Sequence, residues 1–220
     1  HECYHLTSIT IPDSVVGVVP GAFYNCNNLK EFKGCHASDD GHCLVINGVL
    51  AAYAKASGTE YTIPNNVTEI GGCVFENFYD LTHIDIPNSV TKIGDMAFQS
   101  CSSLKSIIIP NSVTEIGDYA FCGLNNASDI LIASTVEAIG CYAFNGCNNL
   151  TSVTISNSVT SIGERAFSGC TDLTSITIPN SVTEIGNQPF PLGIEIISHS
   201  DRFVVEDDLL IDLKEKRLIQ

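Results

Sequence analysis

The densest cluster of reactive side chains lies at residues 35–43, which read CHASDDGHC. Cys35, His36, His42 and Cys43 are the ligand types of a tetrahedral zinc site, although their spacing matches no zinc motif. A Cys35–Cys43 disulfide would instead close the loop and contribute about 2–3 kcal/mol. A plain loop with free thiols is the third interpretation. The sequence favours this loop over the disulfide, and the disulfide over the metal site, so it predicts no metal and no other cofactor.

A second set of side chains raises the question of catalysis. His83 and Asp85 lie on a predicted strand, and Ser106 occupies the position equivalent to His83 in the next repeat. These are the three side-chain types of a nucleophilic triad, but nothing in the sequence supplies an oxyanion hole or a closed pocket. A glycine-rich phosphate loop is also lacking. We therefore predict no catalytic residues and no enzyme activity.

Composition excludes several classes of partner. The 220 residues include 10 Lys and Arg against 25 Asp and Glu, which gives a formal charge of −15. Such a chain is unsuited to nucleic acid and to anionic membrane surfaces, both of which require basic patches. No apolar run approaches the roughly 18 residues of a membrane span. The chain opens without a methionine or a signal peptide, and we expect it to be a piece of a longer protein.

The elements that position these residues follow from a repeat of 23 residues. Residues 87–109 read PNSVTKIGDMAFQSCSSLKSIII, and residues 156–178 read SNSVTSIGERAFSGCTDLTSITI. Apolar residues recur at fixed places, as in the series Phe75, Phe98, Phe121, Phe144, Phe167 and Phe190. A unit this short cannot bury its own apolar face, so copies must stack about 4.8 Å apart along one axis.

Each repeat predicts the same local elements. Leu104–Ile109 indicates a short strand that Pro110 ends, because proline has no N–H to donate to a ladder. The Val-Thr-x-Ile that follows indicates a second short strand on the opposite edge. A glycine then turns the chain, and Asp95–Phe98 predicts a one-turn helix capped by the aspartate.

Two segments break the period and define the predicted organisation. Residues 1–34 are N-terminal repeats, the first incomplete, and residues 62–192 form the main array. Between them, residues 35–61 carry Asn47-Gly48 between apolar runs, which is a strong hairpin signal. Residues 193–220 repeat this pattern as a C-terminal β-hairpin segment. We expect both hairpins to lie beside the repeat array.

The pattern Leu-x-x-Ile-x-Ile-Pro-x-x-Val-x-x-Ile-Gly-x-x-Ala-Phe-x-x-Cys-x-x-Leu resembles the BspA-like, or Treponema pallidum type, leucine-rich repeat. The match covers about 165 of the 220 residues. The departures are Phe78 and Leu124 for Cys, Ala133 and Ser156 for Pro, and Pro189 for Ala. The resemblance implies a leucine-rich repeat solenoid, mostly β with short helical turns, with about seven 23-residue repeats and two β-hairpin insertions. It also implies a surface or secreted protein of a host-associated microbe that acts in adhesion.

The cysteines divide into two groups. Five occupy one repeat position: Cys3, Cys26, Cys101, Cys147 and Cys170. Because Phe78 and Leu124 fill the same place in other repeats, this position is an apolar pocket, and we predict buried thiols that act as small hydrophobic residues. Cys73, Cys122 and Cys141 lie at variable positions with no evident partner.

The outward strand positions define the candidate binding face. Thr and Ser are the background there, whereas Ile108 and Leu131 are adjacent apolar residues. With His83, Asp85 and Asp129 around them, they form a candidate contact site. Burial under an insertion, or drift without function, is the alternative interpretation.

The sequence thus favours a cell-surface or secreted adhesion module that binds a host or microbial protein, such as an extracellular-matrix protein. A structural spacer that displays another domain is the first alternative. A glycan-binding module is the second, but it would need a row of exposed aromatic residues, and the outward strand positions contain none.

Overall fold

The computed structural model describes residues 3–207 and 209–219, apart from the side chain of Ser57. The chain coils into a β-solenoid, and each turn of the coil is called a rung below. One 3-10 helix, Lys55–Ser57, follows the fourth strand. In chain order the strands are β1 (Ser8–Thr10), β2 (Glu31–Lys33), β3 (Cys43–Ile46), β4 (Val49–Tyr53), β5 (Glu60–Thr62), β6 (Glu69–Ile70), β7 (His83–Asp85), β8 (Lys92–Ile93), β9 (Ser106–Ile108), β10 (Glu115–Ile116), β11 (Asp129–Leu131), β12 (Ala138–Ile139), β13 (Ser161–Ile162), β14 (Ser175–Ile178), β15 (Glu184–Ile185), β16 (Glu195–Ser198), β17 (Phe203–Glu206), β18 (Leu209–Asp212) and β19 (Arg217–Leu218).

One side of the solenoid is a ladder of parallel strands from the Leu-x-x-Ile-x-Ile motif. The ladder pairs are β1 with β2, β5 with β7, β9 with β11, and β14 with β16. In β7, β9 and β11 the central isoleucine is buried and its two neighbours are exposed, which is the period-two pattern of a strand with one wet face. Residues 151–155 form no strand, although the sequence predicts one there.

The opposite side is an eight-stranded sheet. Its order is β15-β13-β12-β10-β8-β6-β4-β3, and every pair is parallel except the hairpin pair β3–β4. Apart from the hairpin strands β3 and β4, each rung contributes only two residues, and the second is a buried isoleucine such as Ile116 or Ile139. The second short strand predicted for each repeat is therefore confirmed.

A column of phenylalanine rings fills the centre between these two sides. Phe98 stacks on Phe121 at 5.4 Å between ring centroids, and Phe121 stacks on Phe144 at 5.3 Å. The series runs from Phe75 to Phe190 with every ring buried. Burial of each ring against its own copies explains why the 23-residue period must be kept. The predicted fold class, a leucine-rich repeat solenoid, is confirmed.

The turn face, the third side of the coil formed by the Gly-x-x-Ala-Phe segments, contains no helix. The helical turns predicted at Asp95–Phe98 and its copies are wrong. Met96 and Ser100 have φ of 57° and 59°, in the left-handed region, which a right-handed helix does not use. The backbone N–H of Met96 and that of Phe98 donate to the carbonyls of Asp118 and Ala120, both at 2.8 Å. These backbone groups therefore pair between rungs and not within one turn.

Aspartate and glycine fix the spacing of these turns. Asp95 Oδ1 accepts from the backbone N–H of Asp118 at 2.9 Å, so this side chain caps the next rung and not a helix of its own. A Cβ on Gly140 would lie 2.5 Å from the carbonyl carbon of Gly117. Only glycine fits here, because backbone meets backbone at this place in successive rungs.

The first hairpin is built into the solenoid as a rung. Its turn lies at Asn47 and Gly48, with φ of 53° and 81°, as a two-residue hairpin turn requires. Strand β4 pairs in parallel with β6 and so continues the eight-stranded sheet. The Tyr53 ring lies 5.1 Å from that of Phe75 and extends the phenylalanine column.

This rung also divides the hydrophobic core in two. Leu44, Ile46, Ala52 and Ala54 belong to an N-terminal cluster with Phe32, among others. Cys43, Leu50 and Tyr53, from the same hairpin, belong to the main cluster. The two faces of the hairpin thus belong to two separate apolar clusters.

The C-terminal segment has two parts. β16 pairs in parallel with β14 and belongs to the strand ladder, whereas β17, β18 and β19 form an antiparallel meander. Within the meander the buried Asp212 carboxylate accepts from Arg202 Nε at 2.9 Å and Nη2 at 2.7 Å. These hydrogen bonds lower the pKa of Asp212 to about 2.

Replacement of Phe121 by alanine tests the phenylalanine column. The change leaves a cavity between Phe98 and Phe144, so the free energy of unfolding should fall by about 3–5 kcal/mol. Urea denaturation of both proteins measures the difference. A loss below about 1 kcal/mol would show that the column is not the core.

The Arg202–Asp212 pair predicts a stability that depends on acid pH. An unfolded aspartate has a pKa of about 3.9, above the folded value, so the pair stabilises the protein fully above about pH 4. This contribution is lost as the pH falls through about 2. Thermal unfolding of the wild type and of Asp212→Asn between these pH values should show a weaker pH dependence in the variant. Identical slopes would contradict the assignment.

Candidate binding surface

The strand face, the outward side of the ladder strands, carries two exposed residues per strand in β7, β9 and β11. The structure places all five predicted contact residues on it: His83, Asp85, Ile108, Asp129 and Leu131. β7 lies beside β9, and β9 pairs with β11, so these residues lie on consecutive strands.

Ile108 and Leu131 form an exposed apolar pair. They are direct partners in the parallel pairing of β9 with β11. Their exposed fractions are 66% and 64%, so no insertion of the described chain covers them. Water-exposed apolar side chains at adjacent positions provide area that a partner can remove from water.

The polar residues beside the pair are held by hydrogen bonds. His83 Nε2 lies 3.1 Å from Asp85 Oδ1 on the same strand. The Thr62 hydroxyl donates to the other Asp85 oxygen at 3.1 Å, and Ser128 donates to Asp129 at 3.0 Å. The carboxylates are therefore oriented without being buried, and they give the rim of the apolar pair a negative charge.

Sequence reasoning missed one apolar residue of this face. Ile197 on β16 is the pairing partner of Thr177 and is 42% exposed. The step between these two partners is 20 residues, so a search at 23 residues does not reach Ile197. The two adjacent isoleucines of Glu195-Ile196-Ile197-Ser198 were the available signal, because only one of them can face the core of a strand.

The turn face carries a second set of residues that the sequence reading did not single out. Tyr119 and Tyr142 stack at 4.7 Å, and the Arg165 guanidinium lies 5.8 Å from the Tyr142 ring centroid. Arg165 Nη1 also donates to the Tyr142 hydroxyl at 3.2 Å. The three residues share one repeat position, so the 23-residue step could have found them. The rings of Tyr119 and Tyr142 cover each other's faces, so mainly the ring edges remain available to a partner.

A groove of about 880 Å³ runs along the eight-stranded sheet. Glu115, Glu164 and Glu184 are among its lining residues, and Arg202, Lys214 and Arg217 of the meander line it as well. Several of these charges are engaged within the protein: Lys92 pairs with Glu115 at 2.9 Å, and Arg217 donates to Asn187 at 2.7 Å. The groove therefore offers fewer free charges than its composition suggests.

The structure does not bring Cys35, His36, His42 and Cys43 together as a metal site. Among the described residues, no group of three or more His, Cys, Asp or Glu could hold a metal ion. Cys35 is exposed, and a hydrogen bond with Asp13 raises its thiol pKa. Cys43 is buried beneath the Tyr61 hydroxyl, which donates to its sulfur at 3.2 Å. Both are free thiols, as the favoured interpretation predicts.

The cysteine column is confirmed for four of its five members. Cys26, Cys101, Cys147 and Cys170 are buried and free, whereas Cys3 is exposed. The Cys101 thiol donates to the Phe75 carbonyl at 3.1 Å, and Cys147 and Cys170 make the equivalent bond at 3.2 Å. Burial raises the pKa of Cys101 to about 12, so it stays protonated and unreactive.

The coil, its strand ladder and its exposed face define a leucine-rich repeat protein. The family model for the BspA type leucine-rich repeat region matches the chain in six copies, over residues 1–37, 50–148 and 114–198. The chain belongs to this family. Among curated protein sequences, none matches it.

Solved structures with the same fold come from several bacteria. A leucine-rich cell surface protein from Faecalibacterium prausnitzii A2-165 is 34% identical over 94% of this chain, with a TM-score of 0.65. A leucine-rich repeat protein from Eubacterium ventriosum is 26% identical over 92%, with a TM-score of 0.66. This chain spans 51% and 62% of their respective lengths. The T. pallidum leucine-rich repeat protein, 24% identical over 76% of this chain and 86% of its own, shares the fold with a TM-score of 0.55.

Within residues 3–207 and 209–219, no helix has the length and the apolar character needed to cross a bilayer.

Alkylation of the native protein tests the state of the thiols. We expect the exposed Cys35 to be labelled, and Cys101, Cys147 and Cys170 to be labelled only after unfolding, because reagent cannot reach them. Mass spectrometry of the non-reduced digest identifies the labelled sites. A Cys35–Cys43 disulfide, or zinc that survives dialysis, would contradict the assignment.

Proposed function

We propose that the protein is a surface or secreted adhesion module that binds a host or microbial protein through the strand face. The observation that carries the proposal is the exposed pair Ile108 and Leu131 on neighbouring strands of a face made mainly of polar side chains. Binding energy in protein interfaces concentrates in a few desolvated residues surrounded by polar contacts. The pair and its rim have this arrangement.

The shape of the face supports a protein partner over a small molecule. Exposed side chains recur on each ladder strand at a fixed spacing, so an extended surface is available and no enclosed pocket is needed. The formal charge of −15 and the carboxylates of Asp85 and Asp129 favour a partner with a basic patch, because complementary charge accelerates association. An extracellular-matrix protein with basic segments fits this description.

The comparisons support the location. The Faecalibacterium prausnitzii relative is described as a cell surface protein, and we extend that location to this chain. The polar groups of the strand face are separated along neighbouring strands, with His83 and Asp85 paired to each other and not directed at a shared point. We therefore assign the face to binding and not to catalysis.

The double substitution Ile108→Thr plus Leu131→Thr tests the proposal. Threonine is the residue that other repeats carry at this place, so the fold should remain intact. Affinity for a bound matrix protein should fall by about 1–3 kcal/mol if the pair is a hot spot. Surface plasmon resonance against a panel of purified extracellular-matrix proteins measures the change.

A matched control comes from the same strands. Ser106→Thr adds only one methyl group to an exposed residue of β9 and leaves Ile108 and Leu131 in place, so it should bind as the wild type does. A partner that binds wild type and double variant equally would move the site away from the strand face. An absence of binding to any matrix protein or cell would favour the structural spacer.

A further inference from the structure

The turn face is interrupted at the first hairpin, and a cleft lies at the interruption. In regular rungs the backbones of successive turns bond directly, as where Phe75 N–H donates to the Ala97 carbonyl at 2.8 Å. The hairpin rung has no Gly-x-x-Ala-Phe segment, so it supplies no such turn between the segments around Tyr24 and Asn77. A cleft of about 440 Å³ remains there, lined among others by Tyr24, Asn25, Asn27, Asn77, Tyr79 and Asp80.

One amide orders the two tyrosines of this cleft. Asn77 Nδ2 donates to the Tyr24 hydroxyl at 3.0 Å, and the Tyr79 hydroxyl donates to Asn77 Oδ1 at 3.1 Å. Both phenol groups are thus held before any ligand arrives, which reduces the entropy lost on binding. The Tyr79 side chain is nevertheless 57% exposed, so its ring is available for contact.

The asparagines occupy positions where a side chain is not needed for folding. Asn25 and Asn77 have φ of 58° and 55°, and the equivalent positions Gly123 and Gly146 have φ of 75° and 71°. Glycine adopts this region without strain, whereas other residues do so at a cost that asparagine best tolerates. Amides therefore replace glycine at the two turns that border the cleft.

The chemistry of the lining matches a sugar. Tyrosine rings offer apolar faces to the C–H groups of a pyranose, and amides and a carboxylate can each pair with hydroxyl groups. The Lys55 ammonium, which also lines the cleft and donates to the Glu76 carbonyl, balances the charge of Asp80. The volume is comparable to that of a disaccharide. We propose that this cleft is a binding site for a neutral saccharide, independent of the protein-binding strand face.

Saccharide binding can be measured directly on the intact chain. Saturation-transfer NMR with cellobiose, maltose, lactose and N,N′-diacetylchitobiose, followed by a glycan microarray, identifies a bound sugar. Chemical shifts of the protein amides then locate it, and those of Tyr24, Asn25 and Asn77 should move. Absence of binding to all four disaccharides and to the array at millimolar concentration would overturn the proposal.

Tyr79→Asn separates this site from the rest of the protein. Asn125 and Asn148 stand at the same repeat position, so the variant should fold normally, which its thermal unfolding verifies. Saccharide affinity should fall at least about tenfold, because the exposed ring is lost. The matched control, Ile108→Thr plus Leu131→Thr, should keep wild-type saccharide affinity. Equal affinity in Tyr79→Asn and wild type would place the sugar elsewhere and overturn the proposal.

Discussion

The close approach of each rung to the next is the constraint on which the rest of this structure depends. At Gly140 the backbones come so near that a Cβ would lie 2.5 Å from the carbonyl carbon of Gly117. That spacing lets the turn-face amides bond to the next rung and lets the phenylalanine rings stack within 5.0–5.4 Å from Phe75 to Phe167. Sequence is therefore restrained at the glycine, the isoleucines and the phenylalanine, while the outward residues are free to vary.

Much of this architecture could be predicted from the sequence, because residues at equivalent positions of a repeat protein have the same burial, and the repeat period identifies those positions. Ile107 and Phe121 are buried where the repeat predicts, and Ile108 is exposed where it predicts. The helical turns were wrong because a local reading of Asp-Met-Ala-Phe assumes bonds within one turn. The left-handed residues at Met96 and Ser100 and the bonds to the next rung depend on a neighbour that a local window does not contain.

The two candidate sites, the strand face and the cleft, also differ in how far the sequence could predict them. The strand face could be found from sequence because its residues recur at 23-residue steps, whereas Ile197 was missed where the step shortens to 20. The cleft near Tyr24 and Asn77 could not be found, because these residues are 53 positions apart and meet only where a rung lacks its turn. Departure from the repeat, and not the repeat itself, creates this cleft.

The division of the apolar core gives this chain a mechanical weak point. The hairpin rung contributes one set of side chains to the N-terminal cluster and another to the main cluster, so the two clusters are joined through that rung. Under tension along the axis of the coil, the chain should yield first at this junction, because the hairpin rung supplies no Gly-x-x-Ala-Phe turn to bond with its neighbours. The Tyr24–Asn77 hydrogen bond crosses the same junction. A ligand held in the cleft would act as a clamp across it, so the load that the protein bears would depend on what it has bound.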